Sequence, residues 1–163
     1  MDNGVGTATL LELVHAFRQL SVEEHLWHPG ASIVFASWSG EEFGKIGSTE
    51  FLEQFGGELR GRAVAYVNVD APVRGDHALY VAASPLAKSA IYASARAVPC
   101  PSPAHGSSKE DGGGGGVHSM YDQWLEADAG PDVRPRVNYL NFHSDTMGFF
   151  LEGGITSISP SYR

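Results

Sequence analysis

Apolar residues recur along the chain at two spacings, one typical of amphipathic helices and one typical of buried strands. Over residues 10–20 they return every three or four positions, which predicts a helix with one apolar face. Short continuous apolar runs at residues 33–36 and 63–69 predict strands that are covered on both faces, as in parallel sheets. With a helix between them, residues 32–70 form a predicted strand–helix–strand unit with parallel strands and a right-handed crossover.

The remaining patterns extend this alternation of strands and helices. Ser48 is a suitable N-cap for the helix within the strand–helix–strand unit, and the glycine pair at 56–57 is expected to end that helix. Further strands are predicted at residues 79–82 and 155–158, and further helices at 85–97 and near 146–151. Alternating elements of this kind are typical of α/β folds.

Residues 99–118 have a different composition from the rest of the chain. Three prolines are followed by a patch of Ser, Lys, Glu and Asp and then by five consecutive glycines. Such a segment cannot bury enough apolar surface to offset the entropy lost on ordering it. We therefore interpret residues 99–118 as a Pro/Gly-rich surface loop or insertion within the domain.

Composition narrows the possible partners. The 163 residues are a suitable length for one domain, and 11 Lys and Arg against 19 Asp and Glu give a net charge of −8. This acidic balance argues against nucleic acid as a partner, because phosphate binding needs clustered Lys and Arg. The only cysteine, Cys100, excludes an intrachain disulfide and a cysteine-based zinc site. No apolar run is long enough to span a bilayer, so no membrane segment is expected in this chain.

Acidic residues stand at the ends of the predicted strands. Glu41 and Glu42 follow the first strand, Asp70 ends the second, and Asp2 precedes the first helix. Because parallel strands end at one edge of their sheet, these carboxylates are expected to face one crevice. Carboxylates that meet without a neighbouring Lys or Arg repel each other unless they are protonated or bind cations, which favours a metal site. Taken singly, they are equally well explained as a solvated glutamate pair, a turn-forming aspartate and a terminal residue.

Short segments in a fixed order carry a family resemblance. They read DNGVG at 2–6, ASWSGEEFG at 36–44, GSTE at 47–50 and AYVNVD at 65–70. With them, the chain resembles the zinc exopeptidases of the glutamate carboxypeptidase type (N-acetylated alpha-linked acidic dipeptidase, folate hydrolase). That family is related to the transferrin receptors and to secreted zinc aminopeptidases. The resemblance covers nearly the whole chain apart from the loop at 99–118.

The resemblance implies a fold and a role for each acidic residue. The implied fold is an α/β three-layer sandwich with a mixed, mostly parallel central sheet flanked by helices. Asp2 would bridge two zinc ions, Glu42 would bind one of them and Asp70 the other. Glu41 would be the general base that takes a proton from the attacking water. Ser144 stands where the family usually has an Asn that faces the substrate.

The family's zinc site also contains two histidines that this sequence does not supply. One lies upstream of the bridging Asp and the other in a motif near the C-terminal end, and none of the seven His residues here lies in either motif. Residues 1–163 are therefore interpreted as a partial zinc peptidase domain. The complete site would hold two Zn²⁺ ions, and we expect the isolated chain to bind zinc weakly and to hydrolyse little.

The expected function is hydrolysis of a peptide substrate by a carboxypeptidase-like zinc metallopeptidase. Ser159 and Ser161 replace a pair of arginines found in members that cleave acidic dipeptides, which argues against that substrate preference. Two alternatives stay open: a non-catalytic, receptor-like or interaction domain on the same fold, and a zinc aminopeptidase. The family is often homodimeric, and the resemblance implies a membrane-anchored or secreted ectodomain.

Overall fold

The chain forms one mixed β-sheet with helices packed against it. In a computed structural model, the structure describes residues 3–101, 119–130 and 132–163. Within these ranges the strands are β1 Tyr66–Val67, β2 Leu79–Ala83, β3 Val137–Asn138 and β4 Ser157–Tyr162. Their order across the sheet is β1-β4-β2-β3, with β1–β4 and β2–β3 parallel and β2–β4 antiparallel. The predicted α/β class and the mixed sheet are confirmed.

The helices include those that the apolar spacing predicts. They are α1 Gly4–Arg18, α2 Ile46–Leu59, α3 Lys88–Ala97 and α4 Met120–Ala127. A π-helical turn extends α1 through Gln19–Glu23, a 3₁₀ turn at Pro85–Ala87 precedes α3, and a second π-helical turn spans Gly148–Glu152. The helix α4 begins with a capping box, because the Ser119 hydroxyl accepts from the backbone N–H of Asp122 while the Asp122 carboxylate accepts from that of Ser119.

Two apolar clusters hold these elements together. In the first, α3 and α4 pack against β2, and Trp124 and Val81 are each only 1% exposed. In the second, α2 and the turn at Gly148–Glu152 meet the start of β4, and its buried residues are Leu52, Phe149 and Ile155. The ring of Tyr66 stacks on that of Phe149 with centroids 3.9 Å apart, which joins β1 to the second cluster.

The predicted strand–helix–strand unit is wrong in its strands. Residues 33–36 form no strand and no backbone hydrogen bond within the described chain, and Ile33 and Val34 are 44% and 78% exposed. The run at 63–69 forms only the two-residue β1, where Val67 is 54% exposed. Continuous apolar runs predict buried strands only when neighbours pair with both edges and cover both faces. Here β1 pairs with β4 alone among the described strands, and residues 33–36 find no partner there.

The start of α2 also differs from the prediction. Ser48 does not cap the helix, which begins at Ile46 after Lys45, a residue with a left-handed φ of 59°. The glycine pair does not end α2, which continues to Leu59. Ser48 is instead buried inside the helix, where its hydroxyl reaches the Lys45 carbonyl and the Asp145 carboxylate. A tertiary hydrogen bond has therefore taken the side chain that the local capping rule assigned to the helix end.

Most of the predicted loop at 99–118 lies outside the described residues. Its two ends are nevertheless adjacent, because an isolated antiparallel bridge joins Pro99 to Ser119. Next to this bridge, the backbone N–H of Met120 donates to the carbonyl of Val98 at 2.9 Å. As far as the chain is described, none of its helices is both long and apolar enough to cross a bilayer.

Candidate active site

The structure brings three acidic side chains within electrostatic reach of Glu41, and we call the four carboxylates the acid edge. They are Glu41 and Glu42 in the loop before α2, Asp70 shortly after β1, and Asp145 before the turn at Gly148–Glu152. Asp145, Asp70 and Glu42 all raise the pKa of the Glu41 carboxyl, which like charges do only at short range. Asp2, the predicted bridging ligand, lies outside the described residues.

Glu41 is the member of the acid edge whose surroundings satisfy it least. Its side chain is 20% exposed, and its Oε1 atom is buried with no hydrogen-bond partner in the described part of the chain. Burial is the main cause that raises the pKa of Glu41, and the neighbouring carboxylates add to it. A carboxylate in this environment takes up a proton more readily than an ordinary glutamate does, which is a property required of a general base.

Sequence analysis missed Asp145 as a member of the acid edge. Asp145 is 7% exposed, and its Oδ1 atom accepts a hydrogen bond of 2.5 Å from the Ser48 hydroxyl. Burial raises the pKa of Asp145, the bond from Ser48 lowers it, and Asp70 raises it again. The available signal was the position of Asp145 directly after Ser144, but nothing in its spacing links it to residues near position 41.

A chain of hydrogen bonds fixes the strand end from which Asp70 follows. The Trp38 indole donates to the Tyr66 hydroxyl at 3.3 Å, and that hydroxyl donates to the Asn68 side-chain carbonyl at 2.9 Å. The Asn68 amide then donates to the Ser144 hydroxyl at 2.9 Å. Burial raises the pKa of Tyr66, which keeps its phenol protonated as a donor.

The predicted substrate contact, Ser144, belongs to this hydrogen-bonded chain. Its side chain is buried at 7% exposure and engaged with Asn68. In this arrangement Ser144 connects the segment around Asp145 to β1. Its contact with substrate stays a prediction.

The expectation that no Lys or Arg accompanies the acidic residues is wrong. The Lys45 ammonium lies 3.8 Å from Glu41 Oε1, and the Lys45 side chain is 21% exposed. Its positive charge lowers the pKa of both Glu41 and Asp145. Lys45 is only four positions after Glu41, so the sequence alone shows that the two residues are close along the chain. The positive φ that positions it was not visible in the pattern.

The acid edge fits part of the zinc site that the resemblance implies. Its carboxylate oxygens are suitable zinc donors beside imidazoles, and the orphaned Glu41 Oε1 has an unused acceptor. Over the described ranges, however, no three His, Cys, Asp or Glu side chains come together as ligands. The described carboxylates therefore do not form a metal site by themselves, and the ligand roles of Glu42 and Asp70 stay predictions.

The acid edge predicts that the metal-free chain is more stable in mild acid than at neutral pH. Because the pKa values of Glu41 and Asp145 are raised above 4.5 and 3.8, the folded state binds these protons more tightly than the unfolded chain does. The resulting stability is present below the ordinary pKa values and is lost as the pH rises through the raised ones.

Urea unfolding in the presence of a chelator measures this effect. The midpoint urea concentration is expected to decrease as the pH is raised from about 5 to about 7.5. Asp145→Asn should reduce this decrease, while the side-chain oxygen of the asparagine still accepts the hydrogen bond from Ser48. Asp76→Asn, on an exposed residue outside the acid edge, is the matched control and should retain the wild-type slope. A midpoint that rises over this range contradicts the prediction.

Comparison with known proteins places the chain that forms this mixed α/β sheet and its acid edge among the peptidases. The model of peptidase family M28 matches residues 1–130. The chain belongs to peptidase family M28. Among its relatives, the glutamate carboxypeptidase 2 homolog of Caenorhabditis briggsae is 35% identical over 167 residues, covering 100% of this chain and 20% of the relative.

Two further relatives represent the other interpretations of the sequence. Mouse aminopeptidase NAALADL1 is 35% identical over 166 residues, covering 99% of this chain and 20% of its own length. Chicken transferrin receptor protein 1 is 42% identical over 83 residues, covering 51% of this chain and 11% of the receptor. The suspected family is thereby confirmed. The chain spans about a fifth of the length of the first two relatives.

Proposed function

We propose that this chain forms the acid edge of a two-zinc metallopeptidase in which Glu41 is the general base. The observation that carries the proposal is the buried, unsatisfied Oε1 of Glu41 among three further carboxylates. In a family of peptidases, such a group is placed to accept a proton during hydrolysis and to pass it to the departing amine.

In this proposal the acidic residues divide the work as the family resemblance implies. Asp2 would bridge two zinc ions, Glu42 would bind one and Asp70 the other, so none of these three would be free to act as the base. Zinc, when bound, polarises the peptide carbonyl and acidifies a water molecule. The Glu41 carboxylate keeps a lone pair for the proton because no donor in the described chain occupies Oε1. Its carboxyl group then protonates the amine that leaves.

Two imidazole ligands complete the site from outside these 163 residues. In this proposal, residues 1–163 are part of a peptidase domain, and the four-stranded sheet is part of a three-layer α/β sandwich. That the relatives are about five times longer than the matched region supports this interpretation. A homodimeric, membrane-anchored or secreted ectodomain is the corresponding proposal for assembly and location.

The substrate is a peptide, and the end from which it is cleaved is left to experiment. Ser159 and Ser161 lie in β4, and Arg163 donates to the Ser161 hydroxyl at 3.3 Å. Neither serine provides the positive charge that would select an acidic side chain. Relatives named as a carboxypeptidase and as an aminopeptidase match with the same identity, so both peptide ends need testing.

A chimera tests the proposal with the missing ligands restored. The 163 residues replace the matching fifth of mouse aminopeptidase NAALADL1, and metal content is measured after dialysis. We expect two zinc ions per chain, together with hydrolysis of peptides that have a free terminus. Peptides blocked at the amino or the carboxyl end then identify the direction of cleavage. The isolated chain is expected to retain little zinc.

The outcome also distinguishes the non-catalytic alternative. A folded chimera that binds zinc but cleaves none of the peptides contradicts Glu41 as a working base in this chain. A folded chimera without zinc supports the receptor-like interpretation instead. Unmodified NAALADL1, prepared in the same way, is the matched control for both measurements.

A further inference from the structure

We propose that Lys45 is a built-in counter-ion of the acid edge, which pairs with Glu41 in the metal-free protein and swings away from it when zinc binds. The inference rests on the proposed function, because it concerns the same carboxylates. It goes beyond that function by assigning a role to a cation in the loop before α2. Lys45 acts here as a positioning residue and contacts no substrate.

The backbone conformation of Lys45 is energetically unfavourable. It is the N-cap of α2 and has φ 59° and ψ 39°, in the left-handed region. For residues with a Cβ atom this region is unfavourable, and Gly or Asn is the usual occupant. A long, charged side chain at such a position persists only when surrounding contacts fix it, and strained residues cluster at functional sites.

The contact that Lys45 makes explains why the strain is tolerated. Its ammonium lies 3.8 Å from Glu41 Oε1, and both side chains are about four-fifths buried. At that distance the two groups form an ion pair but no hydrogen bond, so Oε1 keeps its unused acceptor. The Lys45 charge thus compensates Glu41 without occupying the position at which a proton or a cation would bind.

The same ammonium also acts on a carboxylate from the far end of the chain. Asp145 is buried and bonded to Ser48, which lies one helical turn after Lys45 in α2, and the Lys45 charge favours ionisation of Asp145. Ser48, whose hydroxyl also reaches the Lys45 carbonyl, thus joins Asp145 to the loop that contains the ion pair of Lys45 and Glu41. Among the described residues, Asp70 and Glu42 have no ion-pair partner.

A divalent cation at the acid edge would repel this ammonium. With zinc bound, Lys45 and the metal would share the field of Glu41, and two positive charges a few ångströms apart oppose each other. Because its side chain is flexible and still 21% exposed, Lys45 can swing away from Glu41 towards water. The arrangement protects the metal-free protein from carboxylate repulsion and lowers its affinity for zinc.

Unfolding and zinc titration of the 163-residue chain test this role. Lys45→Met removes the charge and retains an apolar stem, whereas Lys45→Arg retains the charge. In chelator-treated protein at neutral pH we expect Lys45→Met to lower the urea midpoint and the double variant Glu41→Gln/Lys45→Met to recover most of it. The association constant for zinc alone should rise on the order of tenfold in Lys45→Met and stay near wild type in Lys45→Arg.

Further variants separate charge from folding. Lys45→Asn also removes the charge but suits the left-handed backbone, so it replaces Lys45→Met if that variant does not fold. Lys88→Met, on an exposed lysine of α3, is the matched control and should change neither readout.

The possible results distinguish this inference from the proposed function. If the midpoint shows no coupling between positions 41 and 45, and zinc affinity is unchanged, the counter-ion role is overturned while zinc binding by the chimera still stands. Coupling without zinc binding in any variant or in the chimera overturns the proposed function and, with it, the displacement of Lys45. Coupling together with tighter zinc binding supports the inference.

Discussion

Replacing Glu41 by glutamine in the zinc-loaded chimera is expected to lower kcat by a factor of about 10²–10⁴ and to leave the zinc content unchanged. Glutamine keeps the size of the side chain but cannot accept the proton from the attacking water. Because Glu42 and Asp70 are the proposed ligands, removal of the Glu41 charge should not release the metal. Loss in kcat with little change in KM is the pattern of a group that acts mainly in the transition state.

The measurement needs zinc analysis and steady-state kinetics on the same samples. Glu53→Gln provides the matched control, since Glu53 lies on the exposed side of α2 and outside the acid edge. It should show wild-type kcat and zinc content. If Glu41→Gln turns over peptide at the wild-type rate, Glu41 is not the base. If it instead loses zinc, Glu41 is a ligand.

The elements that sequence analysis predicted correctly are those whose patterns are local. The strand at 79–82 and the helix at 85–97 correspond to β2 and to the 3₁₀ turn with α3. Each has its apolar residues at the period of its own structure, and both elements contribute to one apolar cluster with α4. Their secondary structure could therefore be predicted without knowledge of their distant partners.

The elements that were predicted wrongly depend on distant partners. Residues 33–36 have the composition of a buried strand, but a strand exists only through a hydrogen-bonded neighbour, which a single segment cannot specify. The final strand was placed at 155–158 and forms at Ser157–Tyr162, because its register follows its pairing with β2. A short apolar run does not determine that register.

The residues of the candidate site also differ in whether the local sequence is sufficient to predict them. Glu41, Glu42 and Asp70 could be proposed from the sequence because each follows a predicted strand, and strand ends share one edge of a sheet. Asp145 could not, because it joins that edge through its bond to Ser48, from the other end of the chain. Ser48 itself was misassigned, since a serine at a helix start satisfies the capping rule whether or not a buried carboxylate claims its hydroxyl.

The first turn of α1 packs closely against the chain at the end of β1. Gly6 is the one buried residue of α1, and a Cβ atom placed on it would lie 2.1 Å from the carbonyl oxygen of Val69 and 2.4 Å from that of Asp70. Both of these are backbone atoms, which cannot rotate away as a side chain does. Only glycine therefore lets the first turn of α1 approach the segment that carries the proposed zinc ligand.

Gly6→Ala is expected to lower the free energy of unfolding by about 1–3 kcal/mol, because α1 must move away from the end of β1. The same change at Gly4, where a Cβ atom would meet nothing within 4 Å, is the matched control. Gly4→Ala should raise stability by up to about 1 kcal/mol, since alanine favours the helix. Opposite signs at two positions of one helical turn would isolate the close approach from helix propensity.

The same pair of variants connects this packing to the chemistry. If the close approach of α1 to Asp70 also supports zinc binding, then Gly6→Ala in the chimera should reduce the zinc retained after dialysis, and Gly4→Ala should not. Urea unfolding and metal analysis on both variants provide the measurement. Wild-type zinc content in a destabilised Gly6→Ala chimera would mean that the close approach serves the fold alone, and that the segment containing Asp2 does not depend on it.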